Sequence, residues 1–376
     1  MKSRCVFLLT GVAASLVFGM MGCGGTSQPS GNPGPQVTLT ASPASITPGT
    51  STTLSWSAEN ATSVTIDNGI GSVALPSGSM TVKPAATTTY TATASGPSGT
   101  ASMATTVTVK APAVAASNHV YVVVLENHSY SSVISNPDMP NLNRVANTFG
   151  LATNYFANVH HSIGDYFEMT TGQVITTDDT FSATVSVDNI VRHLITAGKT
   201  WHEYSENLPS VGYTGGSIGG YVQHHNPLSY FSDVRGTAQA NNLVPFSQLQ
   251  ADITAGTLPN FGFIVPNNDD NSHTGTLAAA DTWLQNNVFQ PLLNSAPFQP
   301  NGDGLLVVVF DESFLNDIAN GGGHIPCVLI GPQIKGGFQG ATFYQHQSLL
   351  RTINTALGLT NFGDAETAVD MKEFFK

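Results

Sequence analysis

Four places in the chain gather side chains able to do chemistry. Glu126-Asn127-His128 follows the apolar run 119–125, and Asp269, Asp270, Asn271, Ser272 and His273 come shortly after 261–265. Asp311-Glu312 follows 304–310, and His324 closes the glycine run 321–323. Only 10% of the residues are charged, so acids gathered this way stand out. Neighbouring carboxylates repel, and their pKa values rise unless a cation neutralises them. Carboxylate oxygens suit hard cations and zinc, and imidazole suits zinc and iron. Singly, each cluster has an ordinary explanation: a cap, a turn or a solvated loop histidine. Their shared position at the ends of apolar runs is what points to a site.

A fifth stretch, "HHSIGDYFEMTTG", runs from His160 to Gly172. Its serine, Ser162, stands before an apolar helical pattern and is first of all an N-cap. Asp165, three residues on, is a capping-box-like partner that suits the helix dipole. The same helix end also binds anions, because its free N–H groups point outward. A serine there, beside a metal that lowers its pKa, is a nucleophile for phosphoryl chemistry. The residues alone leave both roles open.

The elements that must position these groups are legible. Runs 119–125, 261–265, 304–310 and 326–330 are continuously apolar, as in strands buried on both faces. Helical patterns lie between them ("DNIVRHLITAG", "LAAADTWLQNNVFQPLL", "HQSLLRTINTALG"). The expected fold is α/β, a mostly parallel sheet with helices on both faces, with its site beyond the C-terminal strand ends. Trp201, Tyr204 and Glu206 of "KTWHEYSENLP" are read as packing at a strand end beside that site. Residues 37–110 differ: short alternating segments separated by turns predict a small β-sandwich with Trp56 as core anchor. It resembles the Ig-like modules of bacterial surface proteins, carries no catalytic cluster and is expected to act as a spacer. Residues 111–117 read as a linker and 118–376 as the catalytic domain.

The N-terminus has a positive start (Lys2, Arg4), an apolar run too short for a comfortable membrane span, then Gly22-Cys23. It resembles a bacterial lipoprotein signal over 1–22, which implies lipidation of Cys23, a tether over 23–36 and export to the outer membrane or cell surface. Cys5 leaves with the signal, so Cys327 is expected to be a buried structural thiol and no intrachain disulfide can form. The net charge of -12 argues against a nucleic-acid partner. Membrane contact is expected through the lipid anchor alone, and the protein is expected to be a monomer.

Ser162, Phe167, Met169 and Thr171-Gly172 together resemble the nucleophile helix of the alkaline-phosphatase superfamily. "VVVLENHSY", "YVQHHNP", "VPNNDDNSH", "VVVFDES" and "HIPCVLIGP" resemble, in order, motifs of the phosphoesterase family that holds bacterial phospholipases C and acid phosphatases. The resemblance covers about residues 118–358. It implies that Glu126, Asn127, Ser162, Asp311 and Glu312 bind a divalent cation, with Ser162 also the nucleophile. Asp269 and His273 resemble a pair holding a second metal. His160, His161, His225 and His324 resemble phosphate-pocket or second-metal groups, with His225 and His324 the first choices for protonating the leaving oxygen and His161 a further catalytic candidate. Asp165 stands where relatives often carry Asn, so the resemblance places a carboxylate at the phosphate beside His160. Whether one or two ions bind, and whether they are zinc, iron, calcium or magnesium, stays open.

The expected activity is hydrolysis of small phosphate monoesters through a phosphoserine intermediate. A phosphodiesterase of phospholipase C type, acting on a phospholipid, is the alternative, and an inactive scaffold is a third. The compact catalytic domain favours the first.

Overall fold

The computed structural model describes residues 33–376. The expected signal, the Cys23 lipidation site and most of the tether therefore lie outside the described residues. The chain divides into two compact units, ending at Ala111 and beginning at Pro112.

The first unit has two sheets. One orders strands Gln36–Ser42, Thr52–Glu59 and Ser77–Val82; the other orders Ser45–Ile46, Gly99–Val109, Thr88–Gly96, Ser63–Ile66 and Gly71–Val73. Thr52–Glu59 alternates buried and exposed along its whole length, the period of a strand with one wet face. Leu54 and Trp56 from one sheet and Val64, Ile66, Tyr90 and Ala92 from the other share one core, so the two sheets form a sandwich. Trp56 anchors it and donates its indole N–H to the Ala74 carbonyl at 2.9 Å. Gly78 opposite is obligatory, because a Cβ there would sit 2.5 Å from the Trp56 ring.

The second unit is built on an eight-stranded sheet. Its strands are β1 Val120–Leu125, β2 Gly150–Ala152, β3 Trp201–Ser205, β4 Leu243–Pro245, β5 Phe261–Val265, β6 Leu305–Phe310, β7 Cys327–Ile330 and β8 Phe338–Gly340, in the order β4-β3-β5-β1-β6-β7-β2-β8. From β4 to β6 all neighbours are parallel. Every residue of β1, β5 and β6 is buried, so both faces of the central sheet are covered. Packing is close enough that Gly262 on β5 lies against Tyr121 of β1, where a Cβ would come within 2.3 Å of the ring.

The run 326–330 is a strand, but β7 lies antiparallel to β6. A parallel return needs a crossover element, and residues 311–326 between them hold no helix. Cys327 is buried on β7, and burial pushes its thiol up, as suits a structural cysteine. The stretch 111–117 is not a free linker. Val114 and Ala115 pack on the second unit's core, and Ser117 donates its N–H to the Ala356 carbonyl at 2.8 Å.

Candidate active site

Adjacent parallel strands β1 and β6 end in register, Leu125 beside Phe310. The next residues therefore leave the sheet together: Glu126 and Asn127 from one strand, Asp311 and Glu312 from the other. The Asp311 N–H goes to the Leu125 carbonyl and the Asn127 N–H to Asp311 Oδ1, both at 3.0 Å. Asn127 takes a left-handed backbone with φ of 51°, which an asparagine tolerates better than most residues. That turn carries its side-chain amide back over the acids, with Nδ2 3.4 Å from Glu126 Oε2 and 3.3 Å from Glu312 Oε1.

Ser162 completes the group. It is the first residue of the helix Ser162–Thr171, and His161 holds the cap position without a side-chain cap bond. Freed from capping, the Ser162 hydroxyl lies 3.3 Å from Glu126 Oε2 and 3.2 Å from Glu312 Oε1. It is 4% exposed, while Glu126 and Asp311 are wholly buried. Tyr166, one turn along, donates its hydroxyl to Glu126 Oε1 at 2.5 Å and fixes that carboxylate.

The electrostatics are unfavourable as they stand. Burial, then the charges of Asp311 and Glu312, hold Glu126 well above the carboxylate range. Burial also raises Asp311, and burial with the Asp311 charge pushes Glu312 up to about 7. Asp311 Oδ2 makes no well-formed hydrogen bond. Three buried carboxylates around a hydroxyl and an amide, with one oxygen poorly bonded, are a donor set of hard-cation chemistry. Among the described residues, no group of three or more His, Cys, Asp or Glu side chains is arranged as a ready cage. The fit to a cation is therefore one of charge and donor type.

The histidines divide. His225 is buried, stacks on the Tyr166 ring at 5.3 Å and brings Nε2 to 3.3 Å from Glu126 Oε1. That approach is off the line of a hydrogen bond, and both ring nitrogens lack a partner. Burial first, then the imidazoles of His224 and His273, hold His225 well below its ordinary range, so it is neutral. The His224 and His273 rings lie 4.4 and 6.1 Å from it, and His273 is exposed. His160 turns to the cluster from the other side, its Nδ1 on Glu312 Oε2 and its Nε2 3.0 Å from the Asp317 carbonyl. It braces Glu312 and does not stand free for phosphate. His161 is exposed at the helix end, with Nδ1 3.7 Å from Asp179 Oδ2.

Three expected site residues are placed elsewhere. The His324 ring is sandwiched between Tyr130 and Phe156 at 4.4 and 4.8 Å, with Nε2 3.1 Å from the Thr153 carbonyl. It packs a loop, because the glycine turn before it lets Gly322 and Gly323 follow the 157–159 backbone closely. Asp165 is wholly buried, and its Oδ1 accepts the N–H groups of Asn158 and Val159 at 2.8 and 3.3 Å. It closes the loop entering the helix and does not face a phosphate. Asp269 is exposed and accepts from the Thr274 hydroxyl at 2.7 Å, while Asn267 Oδ1 takes its N–H. That tight turn aims Asp269 outward, so it does not pair with His273.

Other residues enter the site unannounced by sequence. Asp179 accepts the Ile163 N–H at 3.2 Å and so occupies the first turn's anion position. Tyr166 and His224 complete the wall. Both histidines of "QHHNP", His224 as well as the expected His225, belong to the short turn Gln223–His225. Glu206 takes the packing role expected of it, with Oε1 accepting the Trp283 indole N–H at 2.9 Å.

Comparison with known proteins gives a family for the chain. The profile of the Phosphoesterase family matches residues 132–360. The chain is 31% identical over 258 residues to Phosphatidylinositol-3-phosphatase of Mycobacterium tuberculosis, covering 66% of this chain and 80% of that one. It is 29% identical over 262 residues to the Probable acid phosphatase of Kluyveromyces lactis, covering 66% of this chain but 60% of that one. The chain thus spans under two thirds of that fungal relative. A solved structure of a protein in the alkaline phosphatase superfamily from Vibrio parahaemolyticus is 14% identical, with a TM-score of 0.48 over 70% of this chain and 73% of that one.

Proposed function

The chain belongs to the phosphoesterase family, and from that premise we propose that it hydrolyses phosphate monoesters by way of a phosphoserine formed on Ser162. That it is a hydrolase of phosphoric ester bonds follows from the family and its phosphatase relatives. The ester class, the covalent intermediate and the cation are the proposal. One observation carries it: the Ser162 hydroxyl, at the start of a helix, is held between Glu126 and Glu312 in a buried acidic cluster.

A divalent cation held by Glu126, Asn127, Ser162, Asp311 and Glu312 would supply the positive charge against which the Ser162 oxygen ionises. The residues do the rest. Ser162 gives its proton to Glu312 Oε1, 3.2 Å away, and its oxygen attacks phosphorus in line. The new O–P bond forms as the bond to the departing alcohol breaks. That alcohol oxygen takes a proton from the imidazole group made by His224, His225 and His273. His273, at the exposed edge, is our choice, since His225 is buried and held neutral. Water enters from the vacated side and gives a proton to the imidazole as its oxygen bonds phosphorus; the Ser162 O–P bond breaks, Glu312 returns its proton to Ser162 Oγ, and phosphate leaves. Phosphoryl transfer is mostly positioning and charge stabilisation, which this constellation supplies.

The sequence supports a setting for this reaction: export, a lipid on Cys23, a spacer with an Ig-like character and a monomeric enzyme. The test is turnover of p-nitrophenyl phosphate and bis-p-nitrophenyl phosphate by the wild type, with chelator and with cation restored. Monoester turnover lost on chelation is the expected result. Diester turnover alone would overturn the monoester proposal.

A further inference from the structure

A cleft of about 740 Å³ opens beyond the ends of β3 and β4, whose last residues Ser205 and Pro245 line it. A hollow of about 380 Å³ continues it, sharing Gln250, Ile253, Asn286 and Pro291, so the two form one trough. The trough stands at the same sheet edge as Glu126 but away from it. With β5 between β3 and β1, and strands about 4.8 Å apart, it begins roughly 10 Å from β1.

The lining selects by exclusion. Among the described residues, no Lys, Arg or His borders either part, so an anion finds no counter-charge. The one acid, Glu206, is committed: its Oε2 accepts the Asn267 N–H and Nδ2 at 3.0 and 2.8 Å, and its Oε1 accepts from Trp283. A cation therefore finds no free carboxylate. What remains is mostly amides, Asn207, Gln250, Asn286, Asn287, Gln290 and Asn294, with two serine hydroxyls, over an apolar floor that includes Phe246 and Ile253. An amide donates and accepts side by side, which matches neighbouring hydroxyls. An apolar floor suits the C–H face of a sugar ring.

A second observation comes from the backbone. The helix Leu277–Trp283 passes into a π-helical segment, Leu284–Phe289, before resuming at Gln290–Leu293. Such segments are rare and recur at functional sites. This one carries Asn286 and Asn287 to the trough.

We propose that this trough is a binding site for a neutral saccharide, separate from the Ser162 cluster. It goes beyond the phosphatase proposal and stands without it. The test titrates the full chain with maltotriose, cellotriose, mannotriose and chitotriose by isothermal calorimetry. At least one trisaccharide is expected to bind with a Kd on the order of 1 mM or tighter. Asn287→Leu, and independently Gln250→Leu on the facing helix, should each weaken that binding about tenfold. Both should leave p-nitrophenyl phosphate turnover within about twofold, whereas Ser162→Ala should leave the binding unchanged. No binding of any of the four, or binding unaffected by both trough substitutions, overturns the proposal.

Discussion

Ser162 Oγ and Glu126 Oε2 lie 3.3 Å apart although 36 positions separate them in the chain. One hangs from the end of a central strand and the other opens a helix. The hydroxyl has a single proton, yet a second carboxylate, Glu312, stands at 3.2 Å on its other side. Such an arrangement serves an oxygen that is to lose its proton. Ser162→Ala is therefore expected to lower kcat by about 10³-fold or more. The alanine suits a helix, and the Asn127 amide still reaches both glutamate oxygens, so the melting temperature should stay within a few degrees. Retained turnover in the alanine variant would remove the covalent mechanism.

The acidic cluster predicts opposite changes in stability and activity. Without a cation, Asp311 and Glu312 repel each other and are poorly solvated. Replacing one by its amide relieves that strain, so Glu312→Gln should melt higher than wild type in chelator, by roughly 1–3 kcal/mol of stability. The same variant should lose most turnover. A divalent cation at about 100 times its Kd should add about 2.7 kcal/mol to the wild type, and much less to Glu312→Gln. Identical melting of wild type with chelator and with zinc, iron, calcium or magnesium would rule out the cation site.

How far the sequence reaches is set by the range of the forces. Four of the eight strands of the second unit, β1, β5, β6 and β7, were legible because a strand buried on both faces must be continuously apolar, as β1 and β6 are. Glu126, Asn127, Asp311 and Glu312 were legible because parallel strands in register deliver their following residues to one place. The direction of β7 was not, since it depends on what the residues between 311 and 326 fail to form. Asp165 looked like a cap because spacing alone cannot say which way a helix is turned. The fold buries that face and spends the carboxylate on Asn158 and Val159. Asp179 left no local signal. It reaches Ile163 through a loop, and only tertiary packing brings them together.

His225 and His324 looked alike in sequence and should differ sharply in function. The first stands against Glu126 with both nitrogens unpartnered, and the second is held between two aromatic rings. His225→Asn is expected to cost up to about 10²-fold in kcat/KM, because it removes the ring that packs between Glu126, Tyr166 and His273 and positions them. His324→Phe keeps the stacking and should leave kcat/KM within about threefold, with a modest loss of stability from the Thr153 contact. Circular dichroism of both variants would verify folding, and the reverse ranking of activities would contradict the assignment.

Glu203 offers a test of the fold away from the acidic cluster. It is wholly buried on β3; its Oε2 accepts the Leu228 N–H at 3.0 Å, and Oε1 has no partner. Burial pushes its carboxyl from an ordinary 4.5 up to about 8. The folded chain then holds a proton that the unfolded chain has lost between those two values. Stability from this group is full below about 4.5 and is lost as pH rises through about 8. Glu168, buried in the Ser162 helix and pushed up to about 7, acts in the same direction. Glu203→Gln keeps the shape and the acceptor for Leu228 but cannot ionise. It should melt close to wild type at pH 4 and several degrees higher at pH 9, where the wild type must bury a charge. Melting curves of the two proteins across that range decide it. Parallel curves would mean that Glu203 reaches water or a cationic partner at high pH, and that the strand end is less tightly sealed than its burial requires.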